Sequence, residues 1–188
     1  MGVFNSSHSY GGLTKLCHWA MVLVFAFQYV GAAIMTNIDW GARFLGLPQS
    51  FYYDWHKSVG LVALVIAIVR LSNRSVGRLP DWAPTITTFE QKLVHRMEQL
   101  LYLSMFLMPI TGYLYVMSGG FGVLFFGVWK LPNPIGKWEA MMLVTKWSHI
   151  ICSFVLLGAI IGHIGLVVRH QFVIKDNLLR RMLPARQS

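Results

Sequence analysis

Charged residues are scarce in this chain, and acidic residues are the scarcest. Only 12% of the 188 residues are charged and 55% are hydrophobic, a composition outside the range of soluble globular domains. This excludes a soluble domain anywhere in the sequence. The formal net charge of +9 would favour a nucleic-acid partner in a soluble protein. Here the basic residues lie mostly at the edges of apolar segments, so we expect no nucleic acid to bind.

Long apolar runs are present instead. Four segments, at about 15–36, 53–73, 93–117 and 147–170, each have roughly the 20 residues that a helix needs to cross a bilayer. The first is too long for a signal-peptide core and lacks a clear small-residue cleavage site, so we expect it to be retained. The sequence predicts an all-α membrane protein whose single domain, residues 1–188, is a bundle of four transmembrane helices in contact with lipid.

Basic residues are concentrated on one predicted side of the membrane. The connection between the second and third segments is flanked by Arg70, Arg74, Arg78, Lys92 and Arg96. The C-terminal tail contains Arg169, Lys175, Arg180 and Arg181. The first connection is nearly neutral, with Arg43 and Lys57 against Asp39 and Asp54. The positive-inside rule therefore predicts that both termini are cytoplasmic. In this topology Cys17 and Cys152 lie at opposite faces, too far apart for a disulfide.

Six of the seven histidines lie within the apolar segments, and four of these form pairs at two depths. Because helix direction alternates, His18 and His163 share the inner half of the membrane, and His56 and His149 share the outer half. His149 and His163 are 14 residues apart, close to four helical turns, so they point to one side about 21 Å apart along the axis. Intramembrane histidines are candidate functional residues, although each could instead bridge helices by a hydrogen bond.

Two facing histidines at one depth favour a haem iron with two axial imidazoles. Zinc would need thiolate or carboxylate ligands that are absent here. The sequence also contains no C-x-x-C-H, which excludes covalent haem attachment. We therefore expect two haem b groups, an inner one held by His18 and His163 and an outer one held by His56 and His149.

Other residues near the two predicted sites have candidate roles. Basic side chains at the membrane edges could pair with haem propionates or could be ordinary interfacial cations: Lys57 and Lys146 outside, Arg70 and Arg74 inside. Gly60, Gly162 and Gly165 could leave room for a flat macrocycle or serve close helix packing. His8 precedes the first helix and is expected to be solvated, and His170 is expected to be interfacial.

A further histidine, His95, opens the third helix on the inner side. With Arg96 and Glu98 beside it, this polar group would suit a quinone head group, and a plain helix-end role is an equal alternative. His95 could also compete with His18 for the inner haem, but His18 would then have no role.

These features together resemble the bacterial cytochrome b561 family. The resemblance spans nearly the whole chain and rests on LCHW, WHKSVG, YLSMFLMP followed by ITG, WSH with a second histidine 14 residues on, and the tail KDNLLRRMLP. It implies a multi-pass protein of the bacterial inner membrane with two b haems, bound by the same two histidine pairs. It also implies electron transfer to or from quinone; some members oxidise superoxide and reduce ubiquinone.

Three functions remain open from the sequence. The first is a self-contained superoxide oxidase that passes electrons from outer superoxide to ubiquinone. The second is a haem subunit that relays electrons between quinone and a partner oxidoreductase. The third is haem sensing or carriage; bis-histidine ligation disfavours gas sensing because the iron has no open position.

Overall fold

The computed structural model describes residues 2–7, 9–39 and 41–183; His8 lies outside this part of the chain. Four long helices dominate it: α1 (Gly12–Asn37), α2 (Gln49–Val76), α3 (Thr88–Ser118) and α4 (Glu139–Val168). The helix α4 continues into a π-helical turn, Arg169–Ile174, and a 3₁₀ turn, Leu178–Arg181, follows it. All four are long and apolar enough to cross a membrane, which confirms the predicted fold class.

The helices extend beyond the apolar runs that predicted them. The largest differences are at the starts of α3, at Thr88 rather than 93, and of α4, at Glu139 rather than 147. At α3 the cause is a capping box: the Thr87 side chain accepts from the Glu90 N–H, and Glu90 bonds back to the Thr87 N–H. Because backbone hydrogen bonds and the cap also form in polar sequence, the helix begins before the apolar run. Hydropathy alone therefore misses the polar first turns.

Two short antiparallel hairpins connect the helices at one end of the bundle, here called the hairpin end. Strands β1 (Arg43–Phe44) and β2 (Leu47–Pro48) join α1 to α2, and β3 (Leu124–Phe125) and β4 (Trp129–Lys130) join α3 to α4. The opposite end, here called the tail end, holds both ends of the described chain and the α2–α3 connection. The hairpin end is the one that the sequence predicts to lie outside.

The bundle consists of two half-bundles. Helix α1 packs mainly on α2 and α3 packs mainly on α4, and α2 and α3 join the halves, whereas α1 and α4 approach each other only loosely. One buried cluster, Met21, Ala63, Ala67 and Met105, lies between α1, α2 and α3. A second, Val116, Met117 and Val123, packs the third connection onto the hairpin end of α3. The loose side of the bundle is therefore the one between α1 and α4.

The C-terminal tail folds back onto the start of α1. The Lys15 ammonium donates to the Leu183 carbonyl at 2.8 Å, and the Trp19 indole donates to the Met182 carbonyl at 2.9 Å. The two ends of the described chain thus meet at the tail end of the bundle, beside His18.

Candidate functional site

The four intramembrane histidines form two pairs that bridge the half-bundles. The ring centres of His18 on α1 and His163 on α4 are 6.1 Å apart, with an angle of 58° between the ring planes. The ring centres of His56 on α2 and His149 on α4 are 6.3 Å apart, at 82°. The pairs are the two that depth alone predicts, and helix α4 contributes one histidine to each.

This spacing fits an iron ion between each pair of rings. Two metal–nitrogen bonds of about 2 Å, with each ring centre about 1 Å beyond its nitrogen, require a separation of roughly 6 Å. Each pair also spans the boundary between half-bundles, where cofactors of helical bundles are held by side chains of facing helices. The residues present therefore fit haem at both depths.

Helix α3 contacts the pair at the hairpin end. The imidazole Nδ1 of His149 is 3.0 Å from the carbonyl oxygen of Met108 and 3.3 Å from the hydroxyl of Thr111. A carbonyl oxygen only accepts, so Nδ1 carries the proton and Nε2 is left as the free ligand atom. Its partner His56 has a buried Nδ1 with no hydrogen-bond partner among the described residues. The two imidazoles of this pair are thus held differently.

Arg70 lies at the pair near the tail end. It follows His56 by 14 residues on α2, the same step that separates His149 from His163 on α4. Its Nε and Nη1 atoms are buried and without a hydrogen-bond partner within the part of the chain that the structure describes. A buried guanidinium with unsatisfied donors is costly unless an anion is bound, so this side chain fits a carboxylate group such as a haem propionate.

The other three predicted propionate contacts have different surroundings. Arg74 forms an ion pair with Glu98, with nitrogen and oxygen 2.5 Å apart. The Lys57 ammonium donates to the Gly122 carbonyl at 3.2 Å and lies 3.8 Å from the Asp54 carboxylate. The hydropathy pattern predicts that Lys146 precedes the fourth helix. In the structure it lies within α4, where it is exposed. Of the four cations, Arg70 alone combines burial with unpaired donors.

Of the two roles predicted for the glycines, Gly60 and Gly162 favour close helix packing. A Cβ at Gly60 would lie 3.2 Å from the Gln28 amide nitrogen, and one at Gly162 would lie 3.3 Å from the Met97 sulfur, so both allow close helix packing. Gly165 is exposed. The residue that does leave room is Gly31 on α1, which is buried although a Cβ there would meet no atom within 4 Å.

The polar residues predicted to group around His95 lie on two different faces of α3. Glu98 points toward α2, where it pairs with Arg74. His95 and Arg96 are exposed on the face of α3 that points away from the bundle. Together with Lys92 and Gln99 they line a surface pocket of about 570 Å³. His95 therefore faces away from the histidine pairs, and its imidazole contacts the Gln99 amide at 3.2 Å.

His170 is completely buried, which corrects the prediction that it is interfacial. Its Nδ1 lies 2.7 Å from the Asp176 carboxylate and its Nε2 lies 3.6 Å from that of Glu90. Glu90 also binds Arg169. The partners come from another helix and from the tail, so neither hydropathy nor local spacing indicates them. The T-x-x-E capping sequence at Thr87 is the one local pattern that marks Glu90 as structurally engaged.

Asp176 is the second carboxylate of this cluster with several hydrogen bonds. Burial acts to raise its pKa, but hydrogen bonds from Thr85 and His170 and from the Leu178 N–H outweigh burial, so the pKa lies below its ordinary value. The cluster ties together the start of α3, the end of α4 and the tail.

Comparison with known proteins finds relatives over nearly the whole chain. The family model for prokaryotic cytochrome b561 matches residues 9–185. Cytochrome b561 homolog 2 of Escherichia coli strain K12 is 22% identical over 97% of this chain and 95% of its own length. Cytochrome b562 of Cereibacter sphaeroides is 27% identical over 93% of the chain and 97% of its own length, and cytochrome b561 homolog 1 of E. coli is 24% identical over 90% and 94%.

Proposed function

Because this chain belongs to the prokaryotic cytochrome b561 family, and so transfers electrons across a membrane through haem b, we propose that it oxidises superoxide outside and reduces ubiquinone inside. Its place is the bacterial inner membrane, with both termini in the cytoplasm. Two superoxide anions supply two electrons and leave as dioxygen, and ubiquinone takes up both electrons and two protons to form ubiquinol. The balance needs no further reductant.

The observation that carries this proposal is the pair of histidine sites at two depths. Rings 6.1 and 6.3 Å apart, both shared with α4, support two haem b groups, one at each end of the bundle. Haem b with two imidazole ligands supplies reversible one-electron transfer. A single site would reach only one face of the membrane, whereas sites separated by four helical turns connect both faces.

On the inner side, Arg70 is the residue we assign to propionate binding at the His18–His163 site. Its buried, unpaired guanidinium supports this role. Arg74 is a weaker candidate because Glu98 already neutralises it. The positive charge of Arg70 also favours the site's reduced, less positive state.

For ubiquinone we propose the pocket formed by Lys92, His95, Arg96 and Gln99 on α3. Its lining residues are exposed on the side of α3 that faces away from the histidine pairs, so a lipid-soluble quinone can enter from outside the bundle and would receive electrons from the inner site across α3. A quinone oxygen that gains electrons needs a hydrogen-bond donor and then a proton, and the His95 imidazole can supply either. Arg96 adds a permanent positive charge that stabilises the reduced oxygen.

On the outer side, the predicted connections and helix ends carry more cations than anions: Arg43, Lys57, Lys130, Lys137 and Lys146 against Asp39, Asp54 and Glu139. A positive field raises the encounter rate of a small anion such as superoxide. Lys146 lies three residues before His149 and is exposed, so it is the best placed of these cations to guide an anion to the outer site.

The decisive experiment uses the purified protein in detergent with a superoxide-generating system and a soluble ubiquinone. Ubiquinol formation that superoxide dismutase abolishes is the expected result. A protein that carries two haems but forms no ubiquinol would contradict the superoxide oxidase function. Restoration of haem reduction by a co-purifying oxidoreductase would then favour the alternative, a haem subunit of a larger complex.

A further inference from the structure

Helix α3 supplies no histidine to either pair, yet it contains the sequence LMPITG, whose residues meet His149. We propose that Met108, Thr111 and Gly112 form a seat that fixes the orientation and the proton position of the His149 imidazole, and thereby sets the reduction potential of the outer haem site. Thr111 and Gly112 act as positioning residues. The inference rests on the proposed assignment of His149 as a haem ligand.

The first contact of the seat is the Met108 carbonyl, 3.0 Å from His149 Nδ1. Pro109 follows directly within the helix. A backbone carbonyl that accepts from Nδ1 fixes the ring's tautomer and increases the basicity of Nε2 as a ligand.

The second contact is the Thr111 hydroxyl, 3.3 Å from the same Nδ1. Its own proton is directed to the Leu107 carbonyl at 2.6 Å, so its oxygen faces the imidazole as an acceptor. The Nδ1–H group is therefore shared between Met108 and Thr111. Two acceptors on one N–H place more electron density on the ring than one acceptor does.

The third contact is steric. A Cβ at Gly112 would lie 2.9 Å from His149 Cε1 and 3.1 Å from Nδ1. Real Cβ atoms do not approach a ring this closely, and the ring cannot move away without lengthening its bond to Met108. Only glycine at this position allows the imidazole to approach α3 this closely.

The seat contacts only His149 of the His56–His149 pair. His56, opposite, has a buried Nδ1 without a hydrogen-bond partner among the described residues, so its orientation depends on other contacts. Changes in the seat should therefore alter the outer site and leave the His18–His163 site unaffected. This selectivity distinguishes a positioning role from general damage to the bundle.

The test compares purified variants by haem content, redox titration and the EPR spectrum of the ferric protein. Thr111→Val should shift one of two redox transitions to a more positive potential, because loss of an acceptor makes His149 a weaker donor to ferric iron. Thr111→Ser should restore the wild-type value. Gly112→Ala should lower the haem content from two toward one, or change one EPR signal. Gly158→Ala is the matched control, since a Cβ at this exposed glycine of α4 meets nothing within 4 Å.

Two results would contradict the proposal. One is a Thr111→Val protein with both potentials equal to those of Thr111→Ser. The other is a Gly112→Ala protein indistinguishable from Gly158→Ala in haem content and EPR spectrum. His149→Ala separates this failure from that of the assignment it rests on: if it retains both haems, His149 is not a ligand and the proposed haem sites are wrong. If it loses one haem while the seat variants behave as wild type, only the seat is wrong.

Discussion

The Arg70 guanidinium carbon lies 5.9 Å from the centre of the Tyr102 ring, so a cation on α2 is held against an aromatic face of α3. Arg74, one turn further along α2, lies 5.6 Å from the same ring. One tyrosine thus orients both arginines, but only Arg74 has a carboxylate partner, Glu98. The cation–π contact orients Arg70 without neutralising it.

From this we predict that Arg70→Gln lowers the reduction potential of the inner haem site. At an effective dielectric constant of 20, a unit charge roughly 8 Å from the haem iron changes the free energy of reduction by about 2 kcal/mol, which corresponds to several tens of millivolts. Redox titration of the purified variant measures the shift. Arg74→Gln is the control and should have a smaller effect, because Glu98 already offsets that charge. Equal shifts in the two variants would argue against a special role for Arg70.

A second prediction concerns haem content. Wild-type protein should bind two haem b groups, and alanine at any of the four paired histidines should leave about one: His18, His56, His149 and His163. Haem extraction with a protein assay measures the ratio. His95→Ala is the control and should retain both haems, because His95 is exposed on the face of α3 that points away from the bundle. Loss of a haem in His95→Ala together with full haem content in His18→Ala would reverse the inner assignment.

The third prediction is that ionic strength and Lys146 both affect the reaction with superoxide. Screening shortens the field to roughly 8 Å at physiological salt, so the rate should fall as salt rises. Lys146→Gln should slow the reaction severalfold and weaken its salt dependence, with unchanged haem spectra. Lys57→Gln should have the smaller kinetic effect, since Asp54 and the Gly122 carbonyl already engage its ammonium group. A rate that does not change with salt in wild type would exclude steering.

The fourth prediction is a pH-dependent contribution of Asp176 to stability. Its pKa is lowered in the folded protein, so the carboxylate stabilises the fold above the ordinary value of 3.8 and loses this effect as pH falls through the lower, folded-state pKa. Asp176→Asn should lower the melting temperature at neutral pH, and the difference from wild type should shrink below pH 3.8.

The companion variant is His170→Ala, which leaves two buried carboxylates without their shared imidazole. A buried group that loses its partner costs about 1–3 kcal/mol. The melting temperature of the detergent-solubilised protein should fall at neutral pH, with haem content retained. An unchanged melting temperature in both variants would show that the cluster does not hold the tail end together.

The sequence predicts the spans and the histidine pairs because both follow from one-dimensional properties. Hydropathy locates the helices, and the alternation of their direction assigns each histidine a depth. His170 could not be placed this way: its burial depends on Asp176 in the tail and on Glu90 at the start of another helix. Gly112 illustrates the same limit, because its importance lies in a contact between helices rather than in spacing along one helix. The sequence indicates Arg70 and Arg74 alike as candidate propionate contacts, and only contacts between helices distinguish them.

The distribution of the paired histidines also constrains how the protein is made. Each pair takes one residue from α4, the last helix to leave the ribosome, whereas His18 and His56 emerge with the first half of the chain. A nascent chain with three inserted helices therefore has no complete pair. Under the ligand assignment proposed above, stable haem binding by two histidines can begin only once α4 has entered the membrane, so a chain that stalls earlier would lack both haems and could be distinguished from a finished one.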